Sequence, residues 1–127
     1  MHPDGKILTK LAWDYLKFAD SERNTENIKL HRAVNDLKQI RPVVLIDELP
    51  WSEMNFDNQL TLQCADSFLR EIEWFLRSNI FKSKYMPADM TVPNYIPIRK
   101  VTHTTGIGIS VEEEVLATDK KNNIISH

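Results

Sequence analysis

Residues 41–51 read Arg-Pro-Val-Val-Leu-Ile-Asp-Glu-Leu-Pro-Trp, an apolar run that stops abruptly on two carboxylates and an aromatic, and this run constrains the fold more than any other part of the chain. Val43, Val44, Leu45 and Ile46 show no alternation, which is the pattern of a strand covered on both faces in an α/β fold. Asp47 and Glu48 then fall at its carboxyl end, where open α/β sheets and barrels place their ligands. A hydrophilic loop after a core strand is the alternative reading of the same residues.

The periodicity on either side supplies the neighbouring elements. Ile7, Leu8, Leu11, Tyr15, Leu16 and Ala19 recur at helical spacing and predict a helix over residues 6–20. Thr25 can cap a second helix with Leu30, Val34 and Leu37 on one face, and Pro42 sets its limit by disfavouring helical geometry at Arg41. Leu69, Ile72, Leu76 and Ile80, with Phe68 and Phe75 beside them, predict a helix over residues 67–85, capped by Asp66 or Ser67 and closed by Pro87. Arg70, Glu71, Glu73 and Arg77 decorate its other side, and Glu73 with Arg77 reads as an i, i+4 pair on a solvated face.

Met90, Thr91 and Val92 read as a second short strand, and a helix joining two apolar strands is a right-handed parallel βαβ unit. After it Ile107, Ile109 and Val111 alternate with small or polar residues. Together with Glu112, Glu113, Glu114, Val115, Leu116 and Ala117 they predict an extended ribbon that turns at residues 119–123 and feeds Ile124 and Ile125. The expected organisation is a single α/β segment, with N-terminal helices over 1–41, a βαβ unit over 42–100 and a ribbon over 101–127.

Sixteen basic and 18 acidic residues give a net charge of -2, which supplies no cationic surface of the kind nucleic-acid binding requires. No apolar run approaches the roughly 20 residues of a membrane span, and the first residues lack the basic and apolar regions of a signal peptide. The expectation is a soluble, cytoplasmic protein with neither nucleic-acid nor membrane partners. Cys64 is the sole cysteine, which excludes an internal disulfide or a multi-cysteine metal site and reads as a buried or semi-buried free thiol.

Several residues are candidates for a ligand site. Glu48 and Glu53 flank Trp51, and paired carboxylates serve as general acid and base where the environment separates their pKa values. Glu48, nearest the expected strand end, is the candidate catalytic residue, and Trp51 is either the wall of a ligand pocket or a plug at a barrel mouth. Trp13 and Trp74 fall inside helices and read as packing residues, and His31, on a helix, reads as a surface or boundary residue. His103, in the loop after Pro97, could reach the strand ends. Gly106-Ile107-Gly108 lacks the third glycine and the following helix of a phosphate loop, and three adjacent glutamates on an extended ribbon point to opposite faces, away from a single ion.

Beyond these local readings, several stretches resemble the N-terminal part of the uroporphyrinogen decarboxylase-like superfamily, which includes cobalamin-dependent methyltransferases. They are Asn35-Asp36-Leu37-Lys38 with Arg41-Pro42-Val43-Val44-Leu45, then Pro50-Trp51-Ser52-Glu53-Met54, Pro87-Ala88-Asp89-Met90 through Pro97, and Gly106-Ile107-Gly108-Ile109-Ser110-Val111. The resemblance spans about residues 28 to 127 and looks like the uncharacterised branch of that superfamily. It implies a TIM-type (β/α)8 barrel, of which this chain would supply the N-terminal helices and the first two strands; such a barrel needs about 250 residues.

Departures from the family pattern are as informative as the match. The decarboxylase carries an arginine in the loop after its first strand, where this chain has Asp47 and Glu48, and it carries a catalytic aspartate where this chain has Pro93-Asn94-Tyr95. Within such a barrel Glu48 would handle a proton or pair a cation, while Trp51, Glu53, Asn94, Tyr95 and His103 would face the substrate. The implied function is an N-terminal portion of a decarboxylase-like protein, linked to corrinoid-dependent methyl transfer and inactive alone. No metal or cofactor belongs to this chain itself, and a corrinoid would belong to a complete assembly. The alternative is a small non-enzymatic interaction protein that self-associates through an exposed barrel edge. Either way the expected partner is a second copy or a complementary barrel portion, with a small-molecule ligand in the first case.

Overall fold

The computed structural model describes residues 2–38, 40–106, 108, 116–119 and 124–126, and it divides into two compact units, Met1–Ile96 and Pro97–His127. In the first unit lie the helices α1 (Pro3–Ala19), α2 (Glu22–Asn35) and α3 (Ser67–Tyr85), with short 3-10 turns at Trp51–Glu53 and Phe56–Asn58. In the second, β1 (Leu116–Asp119) pairs antiparallel with β2 (Ile124–Ser126), and the register shifts between Ala117 and Asp119.

Local chemistry sets the helix ends. Pro3 occupies the first turn of α1, where its fixed φ suits the helix and its missing N–H is no loss, and the His2 ring accepts from the Asp4 N–H. Ser21, rather than Thr25, caps α2 by accepting from the Asn24 N–H. Asp66 caps α3 by accepting from the Leu69 N–H. At the end of α2 the Leu37 N–H donates to Val34 O and the Lys38 N–H to Ala33 O, a Schellman closure with Leu37 in the left-handed region at φ 56°.

Tyr15 and Ala19 of α1, Leu76 of α3, and Met90 and Val92 form the core, surrounded by Leu8, Leu11, Leu16, Phe18, Ile72, Phe75, Ile80 and Ile96. The apolar stripes expected for the first and third helices thus face each other, and α1 packs chiefly on α3. A second, aromatic cluster lies on the other side of α3. Trp51 meets Trp74 edge-on with ring centroids 5.3 Å apart, and Phe81 touches Trp51, Phe56 and Tyr85 at centroid distances of 6.2, 5.2 and 4.8 Å.

The βαβ barrel portion is not what forms. Residues 43–46 carry no strand, and Val44, Leu45 and Ile46 are exposed instead of covered on both faces. The apolar run alone cannot specify a strand, because a strand also needs a neighbour for its backbone, and here the Val44 N–H and C=O both go to Asp89. Residues 90–92 are not a strand either. Met90 and Val92 are buried, but the Val92 N–H and C=O and the Met90 C=O are satisfied by amide side chains of α2, and the Met90 N–H donates to Pro87 O.

Nor is the ribbon over 101–127 present as expected. Residues 101–106 are without strand, and strand pairing among the described residues is confined to the short β1 and β2. The alternating Ile107, Ile109 and Val111, the three glutamates and the turn residues 120–123 lie outside the described residues. Two further side chains depart from expectation. Trp13, read as a packing residue, is exposed, and of Glu73 and Arg77, read as a solvated pair, Glu73 is fully buried and Arg77 largely covered.

Candidate functional site

One face of α2 is a row of polar side chains that holds the chain after α3. Asn24, Asn27 and His31 recur at i, i+3 and i+7, one helical face. The Asn24 amide donates to Val92 O and accepts from the Val92 N–H, both at 3.0 Å, and also donates to Ala19 O at 2.7 Å. Asn27 donates to Met90 O at 2.9 Å, and the His31 Nε2 lies 2.8 Å from Asp89 O. Arg23 reaches Ala88 O, and the Tyr15 hydroxyl donates to Pro93 O at 2.7 Å. Burial, with Tyr95 nearby, pushes the Tyr15 hydroxyl up to about 12, so it remains a donor at any physiological pH.

Asp89 then ties this segment to the run after α2. Its carboxylate accepts from both terminal nitrogens of Arg41, at 2.7 and 2.8 Å, and from the Val44 N–H at 2.9 Å, while its own N–H donates to Val44 O. The bidentate Arg41 guanidinium, followed by the Val44 amide, holds the Asp89 carboxyl far below the usual carboxylate range.

Two further carboxylates, Glu73 and Asp4, fix the loop before α3. Fully buried Glu73 accepts from the amides of Gln63 and Cys64 and from Arg77 Nε, all at 2.8 to 2.9 Å. Burial alone would raise this carboxyl, but the Cys64 and Gln63 amides and the guanidinium together hold it below its ordinary value. Asp4 accepts from the amides of Ala65 and Asp66, which joins the start of α1 to the same loop. Cys64 sits in this buried corner, where burial first and Glu73 second push its thiol up to about 11, the condition of an inert cysteine. These carboxylates are consumed by backbone amides and guanidinium groups, and none faces an open cleft with a free acid and base.

What remains open is residues 44–49. Val44, Leu45 and Ile46 are 56%, 50% and 39% exposed. Among the described residues, the backbone N–H and C=O groups of Leu45, Ile46, Asp47 and Glu48 have no hydrogen-bond partner. Both ends of the run are nevertheless fixed, by Asp89 at Val44 and by Trp51 in the aromatic cluster, and Lys82 of α3 holds the Asp47 carboxylate at 3.1 Å.

Of the expected site residues, Glu48 and Glu53 are exposed in the same loop as Trp51, which is half-buried against Trp74 and Phe81 as a packing group. Asn94 and Tyr95 are exposed at the far end of the segment held by α2, and His103 is an exposed residue of the second unit. Among the described residues no hydrogen bond or ion pair joins any two of these six. Asn24, Asn27, His31, Asp89 and Glu73 were not singled out as organising residues. The signal for the first three was in the chain: polar residues at 24, 27 and 31 occupy one helical face, where an isolated surface helix has no need of uncharged amides.

Among the described residues no group of three or more His, Cys, Asp or Glu side chains is arranged to hold a metal ion, and no helix is long and apolar enough to cross a membrane. Comparison with protein-family models, with curated proteins and with solved structures finds no match to this chain.

Proposed function

We propose that this chain is a non-enzymatic interaction protein that self-associates through residues 44–49. The observation that carries the reading is the exposure of Val44, Leu45 and Ile46 together with the backbone groups of Leu45, Ile46, Asp47 and Glu48, which are unpaired among the described residues. Adjacent exposed apolar side chains favour association, and unpaired backbone beside them is a template for strand addition. The run is also held in place before any partner arrives. Asp89 fixes its start and the Trp51 cluster its end, so docking sacrifices less chain entropy than ordering a free loop.

The polar groups support a structural rather than chemical use. Asp4, Glu73 and Asp89 each satisfy backbone amides, and among the described residues every buried side-chain nitrogen and oxygen has a partner. Glu48 has no base, acid or nucleophile hydrogen-bonded to it among the described residues.

Sedimentation velocity from micromolar to near-millimolar chain tests the reading. Reversible, concentration-dependent association that is weakened by Leu45→Asp is expected. A monomer across the range, or a Leu45→Asp variant that associates as strongly as the parent, contradicts it.

A further inference from the structure

Residues 98–101 offer the complement of residues 46–49. Ile98 and Val101 are 63% and 81% exposed, Arg99 and Lys100 between them are exposed cations, and the backbone of these four residues has no partner among the described residues. Resting on the self-association reading, we propose that residues 98–101 of a second copy add as an antiparallel strand to residues 46–49 of the first, and reciprocally. In this register Ile46 faces Val101, Asp47 faces Lys100, Glu48 faces Arg99 and Leu49 faces Ile98. Two apolar pairs then flank two opposite-charge pairs.

The boundaries of the ladder follow from the same alignment. Pro50 falls opposite Pro97, and neither has an N–H to donate, so the pairing stops there. At the other end Val44 has already given its N–H and C=O to Asp89, so the ladder ends at Leu45. When the run is drawn out as a strand, successive peptide groups alternate sides; with Val44 turned to Asp89, those of Leu45 and Asp47 face outward to Thr102 and Lys100.

Charge favours this occupant over a like segment. Two acidic runs paired with each other would bring Asp47 and Glu48 of both copies into one small ladder, whereas Arg99 and Lys100 neutralise them. Glu48 and Arg99 have no ion-pair partner among the described residues, so their charges can be exchanged without disturbing the Lys82–Asp47 pair.

The test is a charge exchange in the full chain. Glu48→Arg and Arg99→Glu variants, each shown by circular dichroism to keep the parent's helix content, are analysed alone and as an equimolar mixture by sedimentation equilibrium. Each variant alone places like charges opposite each other in both reciprocal ladders and should self-associate about tenfold more weakly than the parent. The mixture restores opposite charges in both ladders and should recover the parent's affinity as a heterodimer. An associating parent whose variants are unaffected, or whose mixture is no tighter than either variant, overturns this pairing and leaves self-association through residues 44–49 standing. A parent that remains monomeric overturns that reading and this pairing together.

Discussion

The Asn24 side chain and the Val92 backbone exchange two hydrogen bonds of 3.0 Å, so that a helical amide takes the place a neighbouring strand would have filled. The carboxamide matches the peptide group donor for acceptor, and a third bond, to Ala19 O, fixes its orientation. Asn24→Ala leaves the buried N–H and C=O of Val92 without partners and should cost about 2–3 kcal/mol of stability. Asn27→Ala removes a single bond to Met90 O and should cost about 1 kcal/mol. Urea unfolding of the two variants checks the ordering. Negligible losses in both would mean that the buried segment is held by its apolar contacts alone.

The i, i+4 spacing of Glu73 and Arg77 is that of a pair on a solvated face, yet the carboxylate is fully buried and gathers two loop amides as well as the guanidinium. Removing one partner of such a group leaves uncompensated donors. Glu73→Ala should therefore cost about 3 kcal/mol or more. Arg77→Met keeps much of the side-chain volume and leaves the carboxylate its two amides, so it should cost less. Thermal unfolding of both variants decides the matter, and an effect of Glu73→Ala within about 0.5 kcal/mol would mark it as a surface substitution after all.

Leu37 adopts φ 56° at the left-handed position of the Schellman closure and is 92% exposed. Glycine avoids the Cβ strain there and gives up no buried contact. Leu37→Gly should stabilise the chain by about 1 kcal/mol, partly offset by the greater freedom of glycine in the unfolded state. A loss of stability in the same unfolding assay would show that Leu37 is covered in solution.

Acid should loosen the tie between Asp89 and Val44, which is at full strength at neutral pH. The folded Asp89 carboxyl titrates below its ordinary value of 3.8, so its contribution is complete above that value and is lost as pH falls toward the folded one. Glu73, also depressed in the fold from 4.5, acts in the same direction. Asp89→Asn should consequently lose stability relative to the parent at pH 7, by a margin that has begun to narrow at pH 3. A difference that stays constant between these pH values would assign the effect to packing, not to the charge.

The helices were legible because their apolar residues repeat along the chain: the stripe from Leu69 to Ile80 and the Asp66 cap mark α3 from end to end. What joins the helices was not. Residues 43–46 and 90–92 have strand-like composition, but whether an apolar run pairs with another strand depends on distant partners, and here those partners are Asp89, Asn24 and Asn27. A side chain that satisfies backbone leaves no period-2 signature. The expected site failed for the same reason: Glu48, Trp51, Glu53, Asn94, Tyr95 and His103 were grouped by a barrel whose strands do not form, and without it Trp51 becomes a packing residue and Asn94 and Tyr95 exposed ones.

Residue-resolved amide hydrogen exchange at Leu45, Ile46, Asp47 and Glu48, measured on dilute and on concentrated chain, tests most directly whether residues 44–49 are an interface. These amides have no partner among the described residues, so in dilute solution they should exchange nearly as fast as in an unfolded chain. On concentration, protection should appear at alternate residues of the run, while the Val44 amide, held by Asp89, stays protected at every concentration. Exchange at residues 45–48 that remains fast and unchanged as concentration rises would contradict the assignment of this run as the self-association surface.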